Sequence, residues 1–252
     1  MIKKVLFLGL IKVILFGYQD LYFYNIHLNY KEYINGDVID RDYSKYKNLK
    51  GIGYKLIQNY YLNNFNFAYG FNIEYASGNT IYDGSTMSGE KLKAKQKNVS
   101  ILNIKGFLNL DSFQFILGYR NWHRGKTNYE GDYEEIYYWP YVGFGYKKIY
   151  NFEKFAILPL LEYDAAIDPK IDIKLGNNPT LNLGTTQGLK LEIPFLFKID
   201  KIAFKIFYRF ESWHINSSNT KTLIINNKKV LIFEPESLTI NQYLGAGLLF
   251  KF

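Results

Sequence analysis

The chain has 252 residues and a formal net charge of +8, with 48% hydrophobic residues, 19% aromatic residues and no cysteine. This apolar content excludes an intrinsically disordered chain, and the lack of cysteine excludes a disulfide scaffold, a thiolate metal site and a cysteine nucleophile. Beyond the N-terminal region there is no run of about 18 apolar residues, which argues against a transmembrane helix.

The N-terminal segment has the layout of an export signal. Lys3 and Lys4 precede an apolar stretch at 5–17, as in secretory signal peptides. Because Lys12 interrupts the stretch and no A-x-A site follows it, the alternative is an amphipathic helix or strand retained in the mature protein. We predict a signal peptide at 1–17 and a single domain at 18–252.

From residue 22 onward the hydrophobic pattern alternates with a period of two. In the segment 65–76 the odd positions are aromatic or Ile, whereas the even positions are polar or small. A helix would mix these two sets, but an extended strand places them on opposite faces. Alternation of this kind predicts ten strands, at 22–34, 49–61, 65–76, 98–109, 112–123, 134–148, 154–165, 186–198, 202–214 and 237–252.

Short and long connections alternate along the chain. The short ones are 62–64, 110–111, 149–153 and 199–201, and the long ones are 35–48, 77–97, 124–133, 166–185 and 215–236. Each strand is long enough to cross a bilayer when tilted, which takes about 9–11 residues. Long strands with all long loops at one end are typical of an outer-membrane barrel. We therefore predict an all-β, closed, antiparallel up-and-down barrel in the bacterial outer membrane, with both termini in the periplasm because the strand number is even.

The last predicted strand has a distinctive ending. Phe252 is terminal, and Phe250 and Leu248 precede it at steps of two. This ending resembles the C-terminal strand of bacterial outer-membrane barrel proteins. The resemblance implies that Phe252, Phe250 and Leu248 are read by the barrel-assembly machinery during insertion.

Parity along the strands predicts which side chains point into the barrel. Aromatic residues are expected mainly on the outward, lipid-facing side, and His27, Lys31 and Glu135 are expected inside. The predicted polar network of the lumen comprises Lys55, Glu74, Lys105, Arg120, Glu162, Lys190, Glu192, Lys205, Arg209 and Glu211. A ten-stranded barrel is nearly filled by its own side chains, so these residues either pair and plug the lumen or line a small polar pore or ligand site.

The basic balance is explained by anionic lipid. Lys91, Lys93, Lys95 and Lys97 occupy every second position in the loop 77–97, so they point the same way if the segment is extended. We expect them to contact phosphates of lipopolysaccharide, although a solvated charge run would have the same pattern. Nucleic acid is not an expected partner. The stretches 170–175 and 222–233 are predicted to be strand extensions above the outer surface.

Two patterns at the outer rim resemble enzymes incompletely. Asp40 and Asp42 form a D-x-D in the first long loop, and His214 precedes the last, as in the omptin proteases, but no Asp lies two residues before His214. Outer-membrane lipid A deacylases use H-x-S, whereas His214 and Ser217 have the spacing H-x-x-S. His214 next to Trp213 is also explained by an interfacial girdle.

The sequence favours a non-enzymatic surface, membrane-integrity or adhesion protein that acts through its outer loops. The alternatives are a narrow porin-like channel for small polar solutes and a rim enzyme. Neither a cofactor nor a metal is expected, since no nucleotide-binding or HExxH motif is present.

Overall fold

The computed structural model describes residues 17–45, 47–62, 65–86, 89–225 and 228–251. The predicted signal peptide apart from Gly17 lies outside the described residues, as does Phe252. The strands are β1 (Gly17–Ile34), β2 (Asp37–Tyr43), β3 (Leu49–Leu62), β4 (Phe65–Ser85), β5 (Lys91–Leu110), β6 (Phe113–His123), β7 (Glu135–Lys147), β8 (Tyr150–Asn151), β9 (Phe155–Ile157), β10 (Leu160–Ala166), β11 (Lys170–Ile173), β12 (Thr180–Asn182), β13 (Thr186–Ile199), β14 (Ile202–Ile215), β15 (Lys221–Ile225), β16 (Lys228–Ile232) and β17 (Glu236–Lys251). No helix in this part of the chain is long and apolar enough to cross a membrane.

Ten of these strands close into a ring. Its order is β1, β3, β4, β5, β6, β7, β10, β13, β14, β17 and back to β1, and every neighbouring pair is antiparallel. The first and last strands pair from Tyr18↔Lys251 to Tyr33↔Glu236, so the ring has no open edge. The predicted ten-stranded up-and-down barrel is confirmed.

The largest difference from the predicted boundaries is at 77–97. This segment was expected to be a loop, but β4 and β5 continue to pair as far as Ser85↔Lys91, beyond a register shift between Gly78 and Thr80. In this segment both faces of the paired strands carry mostly polar side chains, so the alternation that marks a strand disappears. The stretch at 170–175 extends the sheet, as expected, because β11 pairs with β7 and β12. The stretch at 222–233 does not extend a barrel strand: β15 and β16 pair only with each other, in a separate two-stranded sheet.

An apolar belt surrounds the end of the barrel that carries the short turns. Large hydrophobic side chains face outward there, among them Leu117, which is 65% exposed, and Phe23, which is 61% exposed. The outward rows become polar at Asn25 of β1, Ser77 of β4 and Ser212 of β14. Apolar exposure on this scale requires a covering apolar phase, and closure of the ring pairs the backbone groups that such a phase cannot solvate. We call the opposite end, with the long connections, the outer end.

The expectation that aromatic residues lie mainly on the outward face is wrong for a substantial group. Trp122, Trp139 and Trp213 are all buried inside, so Trp213 is not part of an interfacial girdle. The inward row of β1 is Tyr22, Tyr24, Ile26, Leu28, Tyr30, all buried. Consequently His27 and Lys31, predicted inside, lie on the other row of β1. The prediction took the more apolar row of each strand as the lipid-facing one. In β1 the more apolar row faces the lumen instead.

Candidate functional site

Ion pairs cross the lumen at the level of the apolar belt. Arg209 Nη2 of β14 lies 2.6 Å from Glu74 Oε1 of β4, although three strands separate them along the shorter path round the ring. Arg120 Nη1 of β6 lies 2.9 Å from Glu211 Oε1 of β14, also with three strands between. Each pair joins nearly opposite walls, so together they obstruct the lumen.

Further charged contacts fill the space between these bridges. Glu162 of β10 accepts from Lys105, at 2.8 Å, and from Lys190. Arg209 Nε also donates to Glu192, at 2.6 Å. The structure thus brings the predicted lumen residues together in ion pairs, except for Lys55, whose Nζ lies 5.0 Å from the centre of the Phe107 ring.

Asp20 and Asp164 are buried in the lumen and were both missed by sequence reasoning. Lys205 pairs with Asp20, which precedes the predicted start of the first strand at residue 22. Asp20 lies two positions before Tyr22 on β1, so both side chains point into the lumen.

A cavity of about 870 Å³ opens at the outer end. On its inner side Arg124 donates to three carboxylates: Asp42 at 2.5 Å, Glu32 at 2.6 Å and Glu135 at 2.5 Å. A fourth carboxylate, Glu234, lies 2.6 Å from the Tyr137 hydroxyl and 3.0 Å from that of Tyr30. We call Glu32, Asp42, Glu135 and Glu234 the acidic floor.

The acidic floor lies beyond the apolar belt, since Glu32 is seven positions past Asn25 on β1. Burial raises the pKa of Glu32 to about 7, because the neighbouring Arg124 offsets only part of the lost hydration and Glu135 adds repulsion. Burial, and then Glu32 and Glu135, raise the pKa of Glu234 well above its ordinary value. Although burial disfavours the charged guanidinium, Asp42 and Glu32 hold the pKa of Arg124 well above its usual range. The floor therefore has more carboxylates than one cation can neutralise.

The same cavity also has an apolar wall. It comes from the end of β11 and from the β15–β16 hairpin, and it consists of Leu175, Leu223, Val230, Leu231, Ile232 and Phe233. The hairpin is held in place at its base, where Ser218 N donates to Glu234 O at 2.9 Å and Glu234 N donates to Ser218 Oγ at 2.7 Å.

Sequence reasoning did not find this cavity. Arg124 lies one residue past a predicted strand end, but it continues the inward row of Arg120 and Trp122, and this was the available signal. Glu234 lies between two predicted segments and had no such signal. Asp42 was singled out, but for a different role.

The structure does not assemble the resemblances to rim enzymes. His214 is on the outward row of β14, between the buried Trp213 and Ile215, whereas Asp40 borders the cavity and Asp42 is buried beneath Arg124. The barrel wall therefore separates His214 from both aspartates. His214 Nε2 lies 2.7 Å from Glu236 Oε1 at a solvent-exposed position, and Ser217 lies past the end of β14 on the surface.

The four lysines at 91–97 lie on β5 instead of in a loop. Lys91, Lys93, Lys95 and Lys97 are all exposed, while the intervening Gln96 is buried against Thr80. Lys93 Nζ pairs with Asp83 at 2.6 Å. Lys97 is the member of the row nearest the apolar belt. The next outward residue on β5, three positions later, is Ser100, at the edge of the belt. Within the ranges that the structure describes, no three His, Cys, Asp or Glu side chains are grouped to hold a metal ion.

Comparison with known proteins gives a structural match only. No protein-family model matches the chain, and no curated protein matches its sequence. The outer membrane protease OmpT from Escherichia coli superimposes with a TM-score of 0.51 at 13% identity, over 94% of this chain and 97% of that one. Neisserial surface protein A matches with a TM-score of 0.40 at 10% identity, over 94% and 97% of the two chains. The closed ring, the apolar belt and the match to OmpT together show that this chain has the fold of the bacterial outer-membrane β-barrels.

Proposed function

We propose that the protein is a closed outer-membrane barrel that acts at its outer surface and does not conduct solutes. The observation that supports this most directly is the pair of bridges Arg209–Glu74 and Arg120–Glu211, which link nearly opposite strands across the lumen. Trp213 packs against Trp139 and Tyr141, and Arg120 Cζ lies 5.4 Å from the centre of the Trp213 ring. An ion pathway would have to displace charged side chains that hold one another in place.

The same proposal assigns an orientation and partners. The short turns lie in the periplasm with both chain ends, and the outer end with its long connections faces outward. Lys91, Lys93, Lys95 and Lys97 then rise from the membrane surface, where they contact lipopolysaccharide phosphates. Phe250 and Leu248 are on the outward row of β17, where the barrel-assembly machinery can read them during insertion. The role is one of surface binding or membrane integrity.

Conductance separates this proposal from the narrow channel. We expect the refolded wild-type protein to show no discrete openings in planar bilayers. A fourfold variant that removes both bridges, Glu74→Ala, Arg120→Ala, Arg209→Ala and Glu211→Ala, is expected to show small openings, which would establish that the assay detects an unplugged lumen.

The matched control removes an exposed pair. The double variant His214→Ala, Glu236→Ala leaves the lumen intact and should be as silent as the wild type. Discrete openings of the wild-type protein would contradict the proposal and favour the channel.

A further inference from the structure

Charge balance differs between the lumen and the outer cavity. In the lumen, cations and carboxylates face one another in comparable numbers, as in Lys105, Lys190 and Glu162 with the nearby Asp164. In the acidic floor, three carboxylates share the single guanidinium of Arg124, and Glu234 is held by tyrosine hydroxyls. Among the described residues no second cation pairs with these four carboxylates.

This surplus of carboxyl groups over cations is buried. Glu32, Asp42, Glu135 and Glu234 are each at most 6% exposed. Asp42 Oδ1 is a buried acceptor with no hydrogen-bond partner among the described residues. Buried carboxylates that are neither paired nor hydrated are costly. A cation arriving from outside would offset part of that cost.

The space above the floor fits an organic ligand. Its volume of about 870 Å³ lies within the usual range of small-molecule sites, about 300–1,000 Å³. Glu32, Glu135, Glu234 and the apolar wall all border it. Ile34, Ile39 and Leu92 add apolar surface at its margin. A ligand in this space meets carboxylates at one end and hydrocarbon along its length.

We propose that the outer cavity binds an organic cation, in which an amine sits against the acidic floor and an apolar body lies along the apolar wall. This inference rests on the proposed function, since it names a ligand class for a closed barrel acting at its outer face. Glu32 and Glu135 hold the ammonium group, and Leu223 and Val230 contact the apolar body. The excess of carboxyl groups favours binding of a cation. The apolar wall favours a cation with an apolar body over a purely hydrophilic one.

The test is a calorimetric titration of the full-length protein in phosphatidylcholine nanodiscs. The probe is 4-phenylbutylamine, compared with neutral 4-phenylbutanol, with spermidine, which has charge but no apolar body, and with calcium chloride. We expect the amine to bind at least about tenfold more tightly than the other three probes. Equal binding of the alcohol, or tighter binding of spermidine or calcium, would overturn the proposal.

Two variants of the protein localise the binding. The double variant Glu32→Gln, Glu135→Gln should weaken amine binding about tenfold, while the matched control Glu153→Gln, at an exposed position near the short turns, should leave it unchanged. A variant in which a short turn replaces residues 220–232 removes the hairpin from its closed base at Ser218 and Glu234 and leaves the acidic floor intact. This variant without the hairpin should bind 4-phenylbutylamine no more tightly than it binds spermidine.

The outcomes separate this inference from the proposed function. Folding of each variant is checked by its heat-dependent mobility in gels. Unchanged amine affinity in a folded hairpin variant would contradict the proposed pose. Failure of the amine to bind a barrel that is silent in bilayers would sink the ligand class alone, whereas conductance by the wild type would sink the proposed function.

Discussion

At the residue scale, burial decides what each charged pair contributes. The side chains of Arg209 and Glu74 are 4% and 6% exposed, whereas those of His214 and Glu236 are 47% and 52% exposed. Removing one partner of a buried pair leaves an uncompensated charge, which typically costs about 3–5 kcal/mol. An exposed pair contributes at most about 1 kcal/mol. The rim histidine is therefore dispensable for the fold, whereas the lumen bridges are integral to it.

The acidic floor gives the outer cavity a dependence on pH near neutrality. Glu32 is packed against Arg124, Glu135, Asp40 and Asp42, and its pKa of about 7 means that it binds a proton at pH 6 and is ionised at pH 8. Affinity for 4-phenylbutylamine should therefore rise between pH 6 and pH 8, by several-fold. Calorimetry at the two values measures it. The variant Glu32→Gln should have a flatter profile, and a wild-type affinity that falls with rising pH would contradict this assignment.

At the element scale, inward aromatic side chains require glycine on neighbouring strands. The ring of Tyr22 on β1 lies across Gly53 of β3, where an added Cβ would meet Tyr22 Cζ at 2.2 Å. The Tyr22 hydroxyl lies 2.8 Å from Asn72 Oδ1 and 2.7 Å from Glu74 Oε1. Gly53 thus allows a strand of bulky inward residues to fit within the ring.

This packing predicts that substitutions at two glycines differ in their effect on the stability of the barrel. Gly53→Val should destabilise the barrel by about 1–3 kcal/mol, because overpacking displaces Tyr22 from its hydrogen bonds. Gly106→Val is the matched control, since a Cβ at Gly106 would have no atom nearer than 4.0 Å. Urea unfolding in lipid vesicles measures both variants. Equal stability of the two variants would show that the Tyr22 ring has another place to go.

At the scale of the whole molecule, a row of exposed cations lies at a defined height along the barrel axis. The exposed row Lys91, Lys93, Lys95 and Lys97 lies above the apolar belt, on the same strand whose lower part faces outward with Leu102 and Ile104. In the proposed orientation, this row lies at the level where anionic headgroups begin. A basic residue near such a surface contributes about 1 kcal/mol, and salt screens it.

The orientation can therefore be tested through this row. Replacing its four lysines with Gln should remove most of the extra resistance to urea that vesicles containing lipopolysaccharide give the wild type, and high salt should have a similar effect. The control replaces Lys148, Lys154, Lys201 and Lys251, which are exposed near the short turns. An equal loss in this control would show that general charge is responsible and that the row has no special contact.

Much of the architecture follows from local patterns. The period-two alternation of segments such as 65–76 and 202–214 predicted the ten strands of the ring, since lipid and lumen impose different side chains on the two faces. The pattern fails where that contrast disappears. Segment 77–97 is polar on both faces and was predicted as a loop, and the inward row of β1 is as apolar as a lipid-facing row, so His27 and Lys31 were placed on the wrong side.

The sequence by itself determined the closed barrel and the inward charges on most strands, because each strand records its two environments in consecutive residues. It could not determine which charges meet, since Arg209 and Glu74, or Arg124 and Asp42, are far apart in the chain and come together only when the ring closes. The outer cavity likewise exists only in three dimensions: its floor and wall come from six separate stretches of chain. Distances across a closed ring depend on strand order and stagger, and these are set by the pairing of the whole sheet.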